Sequence, residues 1–326
     1  MGYPVVRLNP LSTHLIKKQA TRKVKTDPID AVRIANAFYL GEGSPYTALH
    51  DEIAELRFLC RQYTSWVSLL TEVQLQFRAV LELAFPGFDK AFQNPLRPSS
   101  LQILTHFPSS SSLLQANKEV VLQHLMLYRR GRLWNEKKYE KLIYIAKHSL
   151  PDPCGANAHH FVMLPYIQII QSYITSLSAL ALQMKNRTEH AYPYQLLCSI
   201  PGVGPITAAT IYAEIGDIKR FPSVKQLIAF TGLDSSVYES GTFKANKNHI
   251  TKRGSTYLRM ALYQATVSGI SKQIHGPRNL ILFQFYQQKL DEGKPTKVAI
   301  VATSNKLLRM IFGILRHEQP FRIDKK

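Results

Sequence analysis

Two long stretches of this sequence carry apolar residues at alternating spacings of three and four, the pattern of a helix with one continuous apolar stripe. They span residues 56–84 and 163–184. We predict two long helices, paired antiparallel within one chain or shared between subunits. The Phe-Pro-Gly sequence at 85–87 is expected to end the first helix. The stripe positions are Leu56, Leu59, Tyr63, Trp66, Leu70, Val73, Phe77, Val80 and Ala84, then Met163, Ile167, Ile170, Ile174, Leu177, Ala181 and Met184.

The rest of the chain lies on either side of this helical middle. Residues 5–8 are predicted to form a strand, followed by a basic loop and a helix that begins near residue 27. Residues 186–194 read as a linker, and the block after it has helical periodicity. We therefore expect a mainly α-helical protein in three parts, residues 1–49, 50–190 and 191–326.

The charge balance favours an anionic partner. Lys and Arg total 41 against 22 Asp and Glu, which gives a formal net charge of +19. Such a field attracts phosphates, so nucleic acid or an anionic membrane surface is indicated.

Cys60, Cys154 and Cys198 are scattered, without a C-x-x-C, and favour neither a zinc module nor a disulfide framework. With no signal peptide and no apolar run near 18 residues, we expect a cytoplasmic protein without a membrane span.

The first candidate site lies at the start of the first short helix. Asp27 is predicted as its N-cap, with Pro28 at the first helical position and Asp30 at the third. Two acids there complement the helix dipole, which is a purely structural explanation. The same spacing would let both carboxylates share Mg²⁺, with Lys23 and Lys25 holding phosphates nearby.

The second candidate is the run IPGVGPITAAT at residues 200–210. It predicts two helices joined by a tight turn, which resembles a helix-hairpin-helix. Gly202 and Gly204 would leave backbone N–H groups free for a DNA phosphate at a helix N-terminus. The alternative is a structural corner between two helices.

The third candidate is Ser240, on a glycine-containing turn that precedes several cations. A serine there could attack a phosphodiester held by those cations. Ser255, also on a glycine turn, is a rival, and His249 is either a general base or merely solvated. The cations considered for nucleic-acid binding are Lys244, Lys247, Lys252, Arg253 and Arg259.

Taken in order, these motifs resemble one family, the IS110-type insertion-sequence transposases, or bridge-RNA-guided recombinases. The matching stretches are LNP and KTDPIDA, then IPGVGPITAATIYAEIGD, RFPSVKQLIAFTGL, YESG and KRGSTYLRMAL. The set in series is highly specific, although KTDxxDA alone is only moderately so. The likeness runs from about residue 5 to the end and is weakest over 86–160.

The resemblance implies a fold and a chemistry. It implies that 1–49 is the remnant of an α/β RuvC-like nuclease domain, 50–190 a coiled-coil region, and 191–326 a helical transposase domain. Asp27 and Asp30 match the last two acids of a metal-binding Asp-Glu-Asp-Asp set, with Mg²⁺ as cofactor. Ser240 matches a serine that forms a covalent phosphoserine link to DNA. A structured guide RNA would select the DNA, and the heptad helices would support a homo-oligomer.

The chain also departs from the family pattern. The family's first Asp and its Glu precede the NP motif, whereas this chain starts almost at that motif. The resemblance therefore predicts a truncated or mis-started member that binds Mg²⁺ poorly and is inactive in transposition by itself. The alternatives are a non-catalytic nucleic-acid-binding remnant and, less well supported, a Holliday-junction or repair nuclease.

Overall fold

The structure is a computed structural model that describes residues 5–8, 26–41, 43–45, 51–92, 94–127, 131–149, 156–235, 239–240, 243–244, 249–274 and 276–322. Over these ranges it contains fourteen α-helices and three two-stranded antiparallel sheets, so the expectation of a mainly α-helical protein is confirmed. Contacts divide the chain into two compact units, Met1–Ile53 and Ala54–Lys326. The predicted boundaries at residues 49 and 190 stay predictions.

The first unit contains one helix and one small sheet. Strand β1 (Val6–Leu8) pairs antiparallel with β2 (Gly43–Pro45), and α1 (Asp27–Tyr39) lies between them in sequence. The N-cap of α1 is Thr26, whose carbonyl oxygen accepts a hydrogen bond from the Asp30 N–H. The capping prediction is therefore wrong by one residue: Asp27 is the first helical residue and Asp30 the fourth.

The second unit is built around two long helices. Helix α2 (Asp51–Ala84) begins just before the unit, and α8 (Ala156–Thr188) returns after a group of shorter helices. As predicted, α2 ends directly before Phe85. The helices between them are α3 (Phe88–Ala91), α4 (Pro98–His106), α5 (Ser110–Gln115), α6 (Lys118–Met126) and α7 (Arg132–His148).

Two polar contacts show how the long helices pair. Arg187 forms an ion pair with Glu55 at 3.0 Å, and the Tyr166 hydroxyl donates to the Gln76 side chain at 3.0 Å. Moving 21 residues along α2 thus corresponds to moving 21 residues back along α8. The helices are antiparallel partners within one chain, the first of the two arrangements that the heptad pattern allowed.

The stripe prediction holds along α2 and fails at one position of α8. Ile174 is 42% exposed, although its heptad neighbours Ile170 and Leu177 are buried. The two apolar cores lie toward opposite ends of the helix pair, with Leu56 and Met184 in one and Phe77 and Ile170 in the other. Ile170 and Leu177 both belong to the second core, so Ile174 lies outside the buried face of α8 within the length that this core covers.

The C-terminal part of the chain packs onto the first of these cores. Its helices are α9 (Tyr192–Cys198), α10 (Pro205–Ile215), α11 (Val224–Thr231), α12 (Thr256–Ile270), α13 (Leu280–Asp291) and α14 (Thr296–His317). Its short strands are β3 (Glu239–Ser240), β4 (Phe243–Lys244), β5 (Lys272–Gln273) and β6 (Gly276–Pro277), paired β3 with β4 and β5 with β6. Helix α10 packs on α12, which in turn packs on α14.

Helix α14 is long and apolar enough to cross a membrane, and much of it is buried inside the protein. Its inner face contributes Leu307, Leu308, Ile311 and Leu315 to the first core. The core helix of a soluble protein can have the same length and apolar composition, so this one helix is weak evidence for a membrane span.

Candidate nucleic-acid interface

The two helices and the tight turn predicted around residue 200 are present, and the two glycines of the turn have different surroundings. Gly202 has a φ of +102°, and a Cβ there would lie 2.5 Å from the Gly269 Cα. Gly202 therefore lets the turn lie against the backbone of α12. Gly204 is the exposed N-cap of α10, and a Cβ there would meet nothing within 4 Å. Of the two, Gly204 is the one whose backbone an incoming phosphate could reach.

Helices α10 and α12 run antiparallel. A buried carboxylate holds them together at the ends that lie away from the Gly202 turn. Glu214, on α10, is 1% exposed and accepts two hydrogen bonds from Arg61 at 2.7 and 3.1 Å. It also accepts one from the Ser255 hydroxyl at 2.9 Å. Arg57 donates to the backbone oxygens of Ala213 and Glu214. These bonds clamp α2, α10 and α12 together.

This clamp was not predicted from the sequence. Glu214 is an acid in the otherwise apolar segment PITAATIYAEI, and an acid in a buried segment needs a cationic partner. Its hydrogen bonds raise the pKa of Arg61, whereas desolvation lowers the pKa of Arg57. The signal for a buried acid was therefore present, but its partner lies 153 residues away.

The rival nucleophile Ser255 has a structural role. It is the N-cap of α12, and its hydroxyl oxygen accepts the Leu258 N–H at 3.1 Å while its hydroxyl hydrogen is donated to Glu214. Both capacities of the hydroxyl are thus used inside the protein. Ser255 caps a helix and is not poised to attack a substrate.

Ser240 lies in an excursion of the chain between α11 and α12, in strand β3 of the antiparallel β3–β4 hairpin. The base of this excursion is closed by a bridge between Ser235 and Ile250 and by the Thr251 hydroxyl, which donates to Asp234 at 2.6 Å. In the hairpin, Ser240 is opposite Phe243 across β3 and β4.

The backbone at the foot of this excursion is tightly packed. Gly232 ends α11 with a φ of +67°, and a Cβ there would lie 2.8 Å from the Arg253 nitrogen. A Cβ on Gly254 would lie 2.0 Å from the Phe230 oxygen. This contact leaves Lys252 and Arg253 exposed beside the hairpin.

The predicted cations differ in their surroundings. Lys252 and Arg253 are exposed, whereas Arg259 donates to the Thr231 oxygen at 2.9 Å and caps the C-terminus of α11. Lys244 is placed by its backbone, opposite Glu239. His249 is exposed. Lys23, Lys25 and Lys247 lie outside the described residues.

The candidate metal ligands form an incomplete set. Asp27 is exposed at the start of α1, and Asp30 forms an ion pair with Arg33 at 2.7 Å. The described ranges contain no group of three or more His, Cys, Asp or Glu side chains that could hold a metal. Two carboxylates, one of them already paired, do not fit a complete Mg²⁺ site, which normally has more oxygen ligands.

Comparison with known proteins places these features in one family. A model described as the transposase IS116/IS110/IS902 family matches residues 194–280, and a DEDD transposase model of IS110 matches residues 1–86. Together the matches span more than half of the chain and contain every candidate motif. The chain belongs to the IS110 family of insertion-sequence transposases. This confirms the resemblance inferred from the motifs.

Several named proteins share this similarity. A probable family 20 transposase of Pseudomonas aeruginosa is 27% identical over 206 residues, which cover 61% of this chain and 56% of that protein. A pilin gene-inverting protein of Moraxella lacunata is 31% identical over 149 residues, 45% of each chain. The chain spans about half the length of these two relatives.

Another IS110-family relative matches nearly the whole chain. An uncharacterised IS110 protein of Streptomyces coelicolor is 23% identical over 329 aligned residues, which cover 97% of this chain and 76% of that protein.

The family match over 194–280 contains both the turn at Gly202 and the Ser240 hairpin. These two features lie toward opposite ends of α12, which is 15 residues or about 22 Å long.

Proposed function

We propose that this chain acts in the cutting and rejoining of DNA at an insertion element, with Ser240 as the nucleophile. The observation that carries the proposal is the position of Ser240 in the β3–β4 hairpin, whose base is fixed by Asp234 and Thr251. A nucleophile is held in position best where its backbone has a rigid support. The nearby competitor, Ser255, is engaged in capping α12.

The proposed reaction has two balanced steps. The Ser240 oxygen attacks a DNA phosphorus and loses its proton to a base, while the bond from phosphorus to one sugar oxygen breaks and that oxygen leaves protonated. A strand hydroxyl then attacks the phosphoserine, which restores the serine and rejoins the DNA. Lys252 and Arg253, exposed beside the hairpin, stabilise the added negative charge.

DNA would extend beyond the hairpin toward the turn that precedes α10. The separation of about 22 Å along α12 corresponds to roughly six base pairs at about 3.4 Å each. A phosphate at the exposed N-terminus of α10, beside Gly204, would hold the duplex without reading its sequence. Sequence selection is then assigned to a structured guide RNA, which the net charge of +19 can accommodate.

Mg²⁺ would bind through Asp27 and Asp30 together with further ligands, because these two do not complete a site. Mg²⁺ would supply charge neutralisation at phosphate. We also propose self-association and a cytoplasmic location, where the DNA lies.

The test is a covalent-trapping experiment on the full chain. The chain is incubated with end-containing DNA, guide RNA and Mg²⁺, and protein–DNA adducts are counted on denaturing gels. Because Asp27 and Asp30 do not complete a Mg²⁺ site, we expect the chain by itself not to complete transposition, and the assay therefore follows the first step alone. For that step we expect an adduct with the parent and with Ser235→Ala, an exposed serine at the hairpin base, and none with Ser240→Ala. Salt-dependent DNA binding should stay within about twofold in all three, because no cation is removed.

Two outcomes separate the candidates. An adduct that persists in Ser240→Ala rules out Ser240 as the nucleophile. Tight binding with no adduct from the parent favours the second candidate, a non-catalytic nucleic-acid-binding module. The ion pair between Asp30 and Arg33, which occupies one candidate metal ligand, is the observation that favours this candidate.

A further inference from the structure

A polar pocket lies in the helical middle of the chain, between the segments that match the family models. Its volume is about 430 Å³, within the range of roughly 300–1,000 Å³ typical of small-ligand sites. It opens between α7 and the segment that runs from α3 to the start of α4. The residues that line it are Asp89, Lys90, Ala91, Phe92, Asn94, Arg97, Ser99, Trp134, Lys138 and Lys141.

The lining is strongly cationic. It contains four Lys or Arg side chains and one acid, Asp89. Lys90, Arg97 and Lys141 are exposed, and among the described residues no ion pair joins any of these three to an acid. Cations gathered around one concave surface with so little neutralisation favour a ligand with a phosphate.

The fourth cation is positioned against two aromatic rings. Lys138 donates a hydrogen bond to the Ala91 oxygen, and its ammonium lies 4.8 Å from the Phe92 ring centre and 5.0 Å from that of Trp134. The half-buried Trp134 thus forms part of the wall beside the cationic groups. An indole at the edge of a cationic pocket offers a surface on which a nucleobase can stack.

The rim of the pocket is held in place by local hydrogen bonds. The Asn94 backbone oxygen accepts the Arg97 N–H at 3.3 Å and the Ser100 hydroxyl at 3.0 Å. The Asn94 side chain accepts the Leu96 N–H at 3.0 Å. The loop that carries Arg97 is therefore ordered before a ligand arrives, which lowers the entropic cost of binding.

We infer that this pocket binds one nucleotide of a single-stranded nucleic acid. The phosphate would lie among Lys90, Arg97 and Lys141, and the base would stack on Trp134. A duplex cannot use the pocket in this way, because its bases are already stacked inside the helix. The inference does not depend on the chemistry of Ser240, since the pocket residues lie outside both family matches.

The first test uses intrinsic fluorescence, because the sequence has only two tryptophans, Trp66 and Trp134. In full-length Trp66→Phe, only Trp134 emits, and we expect saturable quenching by 20-nucleotide single-stranded RNA or DNA. In Trp134→Phe, the emission of Trp66 on α2 should change little. A 20-base-pair duplex should quench Trp134 weakly. Unchanged Trp134 emission at saturation, or equal quenching by duplex, overturns the inference.

The second test measures affinity by fluorescence anisotropy with the same labelled strands. Lys141→Ala should weaken single-strand binding about fivefold at 0.1 M salt, since one phosphate contact contributes about 0.7 to the salt slope. The matched control is Lys147→Ala, an exposed lysine near the end of the same helix and outside the pocket. Equal effects of the two substitutions overturn the inference. A larger loss for RNA than for DNA identifies RNA as the source of the nucleotide, and the reverse identifies DNA.

Discussion

Removal of Arg61 should destabilise the C-terminal domain core far more than removal of a similar surface arginine. Arg61→Met keeps the side-chain stem, but it leaves the carboxylate of Glu214, 1% exposed, with Ser255 as its one remaining side-chain donor. Breaking a buried pair in this way costs about 3–5 kcal/mol. The Arg61 side chain is 42% exposed, so solvent screening places the cost near the lower end, about 3 kcal/mol.

The assay is thermal unfolding of the full chain followed by circular dichroism. For a unit of this size, about 3 kcal/mol corresponds to a fall in Tm of roughly 6–12 °C. Arg187→Met is the matched control, because its ion pair with Glu55 is exposed on both sides and contributes below about 1 kcal/mol. The double variant Arg61→Met with Glu214→Leu should recover much of the loss, since no unpaired charge remains buried. Equal Tm values for Arg61→Met and Arg187→Met would refute the reasoning.

Three further predictions concern the same helices. Gly202→Ala should cost roughly 2–3 kcal/mol, because its φ is positive and the new Cβ meets the α12 backbone, whereas Gly204→Ala should change Tm little; similar Tm values for both would contradict this. Ser255→Ala should cost about 2 kcal/mol in urea unfolding through loss of the N-cap and of the bond to the buried carboxylate, yet leave any covalent DNA adduct intact. Burial raises the pKa of Cys60 to about 12, so its thiol stays protonated at pH 8, and mass spectrometry after iodoacetamide treatment should find Cys60 unmodified until urea is added. Modification of Cys60 as fast as that of the exposed Cys198 in the folded chain would argue against its burial.

The helices themselves could be predicted from the sequence. The end of α2 before Phe85 and the turn between α9 and α10 follow from proline and glycine, which act on the backbone locally. The exposure of Ile174 could not be predicted, because periodicity identifies a face and not the number of helices that cover it. The N-cap of α1 was misplaced by one residue, since Thr26 and Asp27 are both good caps.

The candidate site was predictable in its chemistry and less so in its roles. The cations near Ser240 in sequence were predicted by residue type, but Arg259 caps the C-terminus of α11. The rival serine, Ser255, caps the N-terminus of α12. In the sequence motif PGVG, nothing distinguishes Gly202 from Gly204. Their difference comes from α12, which lies against one of them and not the other.

Local patterns in the chain are thus sufficient for its helical class, its turns, its positive charge and its family, because each depends on neighbouring residues or on composition. The antiparallel direction of the long helices, the clamp at Glu214 and the separation of the Ser240 hairpin from the turn at Gly202 emerge only on folding. Their contacts join residues 41 to 157 positions apart, and hydrogen-bond partners at such separations are set by packing and not by local preference.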